Sequence, residues 1–114
     1  MRSLVAIFIA ALAGNCLGQA TQQVFERCVA CHAKEGEGDL GPNLHGVVGR
    51  KAGSLEDFRY SRAMARSGIV WNEKTLDAFL KAPDQLVPGT RMPFEGIAND
   101  AERAAVIQYL KTLK

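Results

Sequence analysis

The sequence has few cysteines and histidines, the residues that most often bind metal ions directly, with three and two respectively in 114 residues. It contains no internal repeat or low-complexity stretch, and 47% of its residues are hydrophobic, so disordered and collagen-like chains are excluded. It also lacks an apolar run of the roughly 20 residues that a membrane-spanning helix needs. The composition therefore indicates one small globular domain with a formal net charge of only +2.

The longest apolar run covers residues 4–13 and begins two residues after Arg2. A positive start, a short apolar stretch and then small residues are typical of a secretory signal peptide. We predict that residues 1–20 are this peptide and that cleavage follows Ala20, although cleavage after Ala13 fits as well. Cleavage after Ala20 also removes Cys16, an odd thiol in an oxidising compartment. The sequence thus predicts export into an oxidising compartment.

Removing 20 of the 114 residues leaves a domain of 94 residues, 21–114, and removes Arg2, so the net charge falls from +2 to +1. A chain of this size buries only a little over ~60% of its unfolded surface, which gives a marginal core. Cys28 and Cys31 are too close in sequence for a disulfide between them to add much stability. We therefore expect a metal or cofactor to complete the core.

The apolar periodicity predicts an all-α domain with a large share of loop. No alternating apolar run of strand length is present, and glycines interrupt residues 36–53. Helices are expected over residues 22–31, 61–67, 73–82 and from residue 100, with N-caps at Thr21, Ser61, Asn72 and Asn99. Gly68 and Pro83 are expected to end the second and third of these.

One motif indicates the chemistry, the sequence Cys28-Val29-Ala30-Cys31-His32. In C-x-x-C-H the two cysteines lie on one side of a helical turn, where both thiols can add to the vinyl groups of a haem. The next residue, His32, is then held under the iron and binds it through Nε2. The motif therefore predicts a covalently attached haem c.

Other readings of this motif fit less well. A thioredoxin-like redox pair needs a strand-to-helix context, which the sequence lacks. A zinc site needs further ligands at suitable spacing, and His45 is the only other histidine. The predicted signal peptide also favours haem, because c-type haem is attached on the exported side of the membrane.

On these residues the sequence resembles the class I cytochromes c, the bacterial periplasmic relatives of mitochondrial cytochrome c. The resemblance extends over residues 24–114 and rests on several separated blocks. These are residues 24–25, 41–46 (GPNLHG), 49–50, 58–61 (FRYS), Trp71, 88–94 (PGTRMPF) and 109–110.

The resemblance implies a small cytochrome c fold, with three to five short helices and long loops around one covalently bound haem. It implies iron ligation by His32 and Met92, with the carbonyl of Pro42 accepting the Nδ1–H of His32. Met64, the other thioether candidate, lies in a helical pattern, where methionine is usually core packing. The implied cofactor-binding residues are Cys28 and Cys31, with Arg50, Tyr60, Trp71 and Thr90 reaching the haem propionates.

The resemblance also implies the function of a periplasmic one-electron carrier rather than an enzyme. Its partners would be redox proteins, such as a cytochrome reductase, an oxidase or a dehydrogenase, and it would act as a monomer without nucleic acid or stable membrane insertion. An alternative is a dedicated haem c subunit of a periplasmic dehydrogenase complex. A third reading, a peroxidase, would need an open iron position.

The sequence departs from mitochondrial members where those carry lysines around the exposed haem edge. The corresponding residues here are Arg27, Asp84, Gln85 and Arg91, which include only two positive charges. Such lysines steer association with acidic partners. The replacement predicts docking that depends less on electrostatic attraction.

Overall fold

The computed structural model describes residues 16–32 and 40–114, with side chains from residue 23 onward. Most of the predicted signal peptide lies outside these residues. The described residues form five helices and no strand, which confirms the all-α prediction. The helices are α1 (Cys16–Val29), α2 (Arg62–Arg66), α3 (Glu73–Lys81), α4 (Pro83–Leu86) and α5 (Asp100–Thr112). None of them is long and apolar enough to cross a membrane.

Side-chain caps start three of the helices where the sequence places them. Ser61 accepts a hydrogen bond from the backbone N–H of Met64 at the start of α2. Asn72 does the same for Thr75 in α3, whose hydroxyl in turn accepts from the N–H of Asn72. Asn99 caps α5 through the N–H of Glu102. These bonds satisfy N–H groups that have no partner inside the helix.

Two helix boundaries differ from the prediction. The helix α1 begins at Cys16 rather than after Thr21, so Thr21 lies inside the helix and is not its N-cap. Pro83 does not only end α3, since it also opens the short helix α4 as a first-turn residue. Proline suits that position because its missing N–H is not needed there.

The core lies around α5, which packs against α1 and against α3. Phe25 of α1 packs its ring against Tyr109 of α5, with centroids 4.4 Å apart. The apolar residues of α5 face inward, and Val106 is completely buried. Leu76, Phe79 and Leu80 line the buried face of α3.

One charged side chain is buried beside this core. Arg103 of α5 is only 4% exposed. It donates to the carboxylates of Asp77 (2.7 Å) and Asp100 (2.6 Å) and to the carbonyls of Ile97 (2.9 Å) and Ala98 (3.3 Å). A buried guanidinium requires such partners, and here they tie α5 to α3 and to the loop before α5.

Candidate haem site

The attachment motif sits at the end of α1, where the backbone makes one further turn. The N–H groups of Cys31 (3.1 Å) and His32 (2.8 Å) both donate to the carbonyl of Cys28. This turn holds the thiols of Cys28 and Cys31 close together, with His32 directly after Cys31. Cys28 is buried and Cys31 is half-buried, and neither forms a disulfide. Burial raises the pKa of the Cys28 thiol, while the charge of Arg27 opposes that rise.

His32 is fixed by a hydrogen bond to the following loop. Its Nδ1 lies 2.8 Å from the carbonyl oxygen of Pro42, the partner that the resemblance implied. A carbonyl only accepts, so Nδ1 carries the proton and Nε2 keeps a free lone pair. Burial lowers the pKa of His32, against the effect of the Pro42 hydrogen bond, and the charge of Arg50 adds to the lowering. The imidazole is therefore held neutral, in the form that binds a metal.

Gly41 lets the loop approach the His32 ring this closely. A Cβ at residue 41 would lie 2.8 Å from both Cε1 and Nδ1 of His32 and 3.1 Å from the carbonyl oxygen of Cys31. Only glycine fits there without moving the ring. Gly41 belongs to the GPNLHG block, but its role beside His32 is not visible in the sequence, because this close contact joins two separate segments.

Arg50 and Trp71 are brought together by backbone pairing. Trp71 donates its N–H to the carbonyl of Arg50 (2.9 Å), and the N–H of Gly49 donates to the carbonyl of Trp71 (2.6 Å). Trp71 is buried, with its ring 5.0 Å from that of Phe79. The Arg50 guanidinium binds the carbonyls of Asn43 (2.9 Å) and His45 (3.3 Å). It thereby stabilises the loop that follows Pro42.

Met92 lies in a turn between α4 and α5, half-buried and packed against the core. Its N–H donates to the hydroxyl of Thr90 (3.3 Å), and its carbonyl accepts from the N–H of Phe94 (2.9 Å). Met64, on α2, also packs against the core. Tyr60 is half-buried and meets the ring of Phe58 edge-on at 5.0 Å.

These residues suit a covalent haem. The two thiols precede a neutral, half-buried imidazole with a free Nε2, and a glycine provides the space beside that ring. Thioether sulfur and imidazole nitrogen are a recognised haem ligand pair, for which the cytochromes c are the reference example. The chemistry of the donor set is therefore that of a c-type haem site.

The comparisons with known proteins lead to the same family. The cytochrome c family model matches residues 19–114. The chain belongs to the cytochrome c family. It is 52% identical over 95 residues to cytochrome c of Tetrahymena pyriformis, a match that covers 82% of this chain and 86% of that protein.

Bacterial cytochromes c are similar as well. Cytochrome c2 iso-2 of Magnetospirillum fulvum is 49% identical over 90 residues, covering 78% of this chain and 94% of the relative. The solved structure of cytochrome cH from Methylobacterium extorquens superposes with a TM-score of 0.77 at 40% identity, covering 82% of this chain and 96% of that one. The fold is therefore the cytochrome c fold, as predicted.

Membership of the family settles the cofactor and the general activity. Cytochromes c bind one covalent haem c through the Cys-x-x-Cys-His motif, and this cytochrome c has that motif at Cys28 and Cys31. Members of the family are electron carriers with redox partners rather than enzymes. The predictions of haem c and of electron transport are confirmed.

Proposed function

We propose that this cytochrome c is a periplasmic one-electron carrier that moves freely as a monomer between a redox donor and a redox acceptor. The arrangement of His32 carries the proposal, because its Nδ1–H is bound to Pro42 and its Nε2 is free. Export through a signal peptide over residues 1–20 is supported by Arg2 and the apolar run after it.

His32 and Met92 are the axial ligands in this proposal. Bound haem c supplies a one-electron Fe(III)/Fe(II) couple, and the side chains set its environment. The Pro42 carbonyl orients the His32 ring and strengthens it as a donor. Met92 and Phe94 pack against the buried core and so limit the access of water to the Met92 side of the site. A thioether ligand and an apolar shell raise the reduction potential relative to a site with two histidines.

Four further residues are proposed to bind the haem propionates. Arg50, Tyr60, Trp71 and Thr90 all carry polar hydrogens. The two Arg50 nitrogens that bind loop carbonyls each have a second N–H, so that residue keeps donors for a carboxylate. Buried carboxylates need such donors.

A free carrier is favoured over a permanent subunit of a dehydrogenase by the exposed surface. Among the described residues, only Leu40 and Val70 are large hydrophobic side chains with high exposure. Permanent complexes bury larger and more apolar interfaces. Gel filtration of material from native cells tests this, since a free carrier elutes at the size of one domain and a subunit elutes with its enzyme.

The ligands are tested by visible spectroscopy of protein produced with haem-attachment machinery. We expect the methionine–iron charge-transfer band in the oxidised protein and its loss in Met92→Ala. The matched control is Met64→Ala, which removes the other core-packed thioether and should keep the band. Loss of the band in Met64→Ala, with retention in Met92→Ala, would reverse the assignment. Cell fractionation of the full chain tests the periplasmic location.

A further inference from the structure

Arg27 connects the attachment helix to the methionine loop. It lies in the last turn of α1, directly before Cys28. Its Cζ is 5.2 Å from the centroid of the Phe94 ring, within the range of a cation–π contact. Phe94 follows Met92 by two residues, so one exposed side chain links the two segments that carry the proposed iron ligands.

The hydrogen bonds of the Met92 backbone are made to residues of the same loop. Its N–H binds the Thr90 hydroxyl, and its carbonyl binds the Phe94 N–H. These bonds fix the shape of the loop but do not attach it to α1. The Phe94 ring packs on the core from one side and receives the Arg27 guanidinium on its face. The contact between Arg27 and Phe94 therefore joins the turn to α1, while the hydrogen bond from Arg91 to the carbonyl of Arg59 (3.5 Å) joins it to the segment before α2.

We propose that Arg27 is a positioning residue, whose contact with Phe94 holds the Met92 loop closed over the haem. The proposal rests on the proposed function, in which Met92 binds the iron. Arginine suits this role because its planar guanidinium stacks on an aromatic face while keeping its charge in water. The contact stabilises the state in which Met92 is bound relative to the state in which the loop has opened.

The test measures how often the loop opens. Imidazole, neutral above its own pKa, binds the ferric haem only when Met92 has left, so its apparent affinity rises with the open fraction. An exposed cation–π contact changes such an equilibrium about two- to fivefold. We expect Arg27→Ala to bind imidazole about two- to fivefold more tightly than the native protein at pH 8, with an unchanged spectrum before titration.

Two comparisons separate the contact from the loss of charge. Arg66→Ala also removes an exposed arginine from the last turn of a helix, and we expect unchanged imidazole affinity. In a Phe94→Leu background, Arg27→Ala should have no further effect, because the ring on which it acts is absent. An equal effect of Arg27→Ala in both backgrounds, or no effect in the native one, would overturn the proposal.

The spectrum of the native protein distinguishes this proposal from the ligand assignment. If the oxidised native protein has no methionine–iron band, Met92 is not the ligand and the positioning role fails with it. If the band is present and Arg27→Ala leaves imidazole affinity unchanged, the ligand assignment holds and only the role of Arg27 is wrong.

Discussion

Replacing Gly41 by alanine should disturb His32, the proposed iron ligand, through a single methyl group. In the native protein, that methyl would stand 2.8 Å from two atoms of the His32 ring. An ordinary contact needs at least 3.4 Å, so the ring and the loop must separate by about 0.6 Å. The backbone of His32 is held at the end of α1 by the hydrogen bond from its N–H to the carbonyl of Cys28 (2.8 Å). The movement therefore falls on the bond between His32 and Pro42.

The size of the effect follows from that bond. Its present length of 2.8 Å would become about 3.4 Å, beyond the usual range for N–H···O bonds. Losing such a bond costs about 0.5–1.5 kcal/mol. The bond strengthens His32 as a donor and so favours the ferric state. If this whole free-energy loss destabilises the ferric state, the reduction potential rises by about 20 to 65 mV.

Redox titration of the purified holoprotein measures this change. The matched control is Gly68→Ala, where φ is +69° and no atom lies within 4 Å of the added Cβ. That variant carries backbone strain without touching His32, so it should lose stability and keep its potential. A Gly41→Ala protein that is destabilised but has the native potential would refute the reasoning, because the methyl would then be accommodated without moving the ring.

Three further predictions concern stability and docking. Asp100→Asn should lower stability at neutral pH, because the hydrogen bond from Arg103 lowers the pKa of the Asp100 carboxyl. This stabilisation is present above the ordinary carboxyl pKa and is lost as the pH falls through the lowered pKa of Asp100. The denaturant curves of the variant and the native protein should therefore converge at acid pH, and a stability difference that grows in acid would contradict the prediction. Leu110→Ala, at 4% exposure, should cost about 2–5 kcal/mol in urea unfolding, and a loss below about 1 kcal/mol would show that its core position is wrong. The rate of electron transfer with the physiological partner should depend weakly on salt, and a tenfold or larger fall between low and physiological salt would show electrostatic docking.

Local features of the fold were predictable because their causes are local. Ser61, Asn72 and Asn99 cap helices through atoms three residues away, and such bonds are visible in the sequence as residue types and spacing. The attachment motif is local in the same sense. Pro83 shows the limit of this reasoning, because a proline after a helix predicts its end but does not exclude the start of another helix.

Contacts between distant segments were not predictable from the pattern. Nothing in the sequence pattern marks Arg103 as a buried residue, and its partners include Asp77, 26 residues earlier. The close approach of Gly41 to His32 and the contact between Arg27 and Phe94 depend on how loops pass each other. Periodicity and spacing carry no information on such approaches, and the resemblance supplied only the Pro42 hydrogen bond.

The packing of α1 on α5 has a consequence for the order in which the chain folds. Phe25 meets Tyr109, and the N–H of Gly46 binds the carbonyl of Leu113. The first described helix therefore finds its partner only when the last residues have been synthesised. We expect a chain truncated before Asp100 to remain unfolded by circular dichroism, and a folded truncation would disprove this. We expect Cys28 and Cys31 to stay accessible to the attachment reaction on the exported side until α5 has packed on α1.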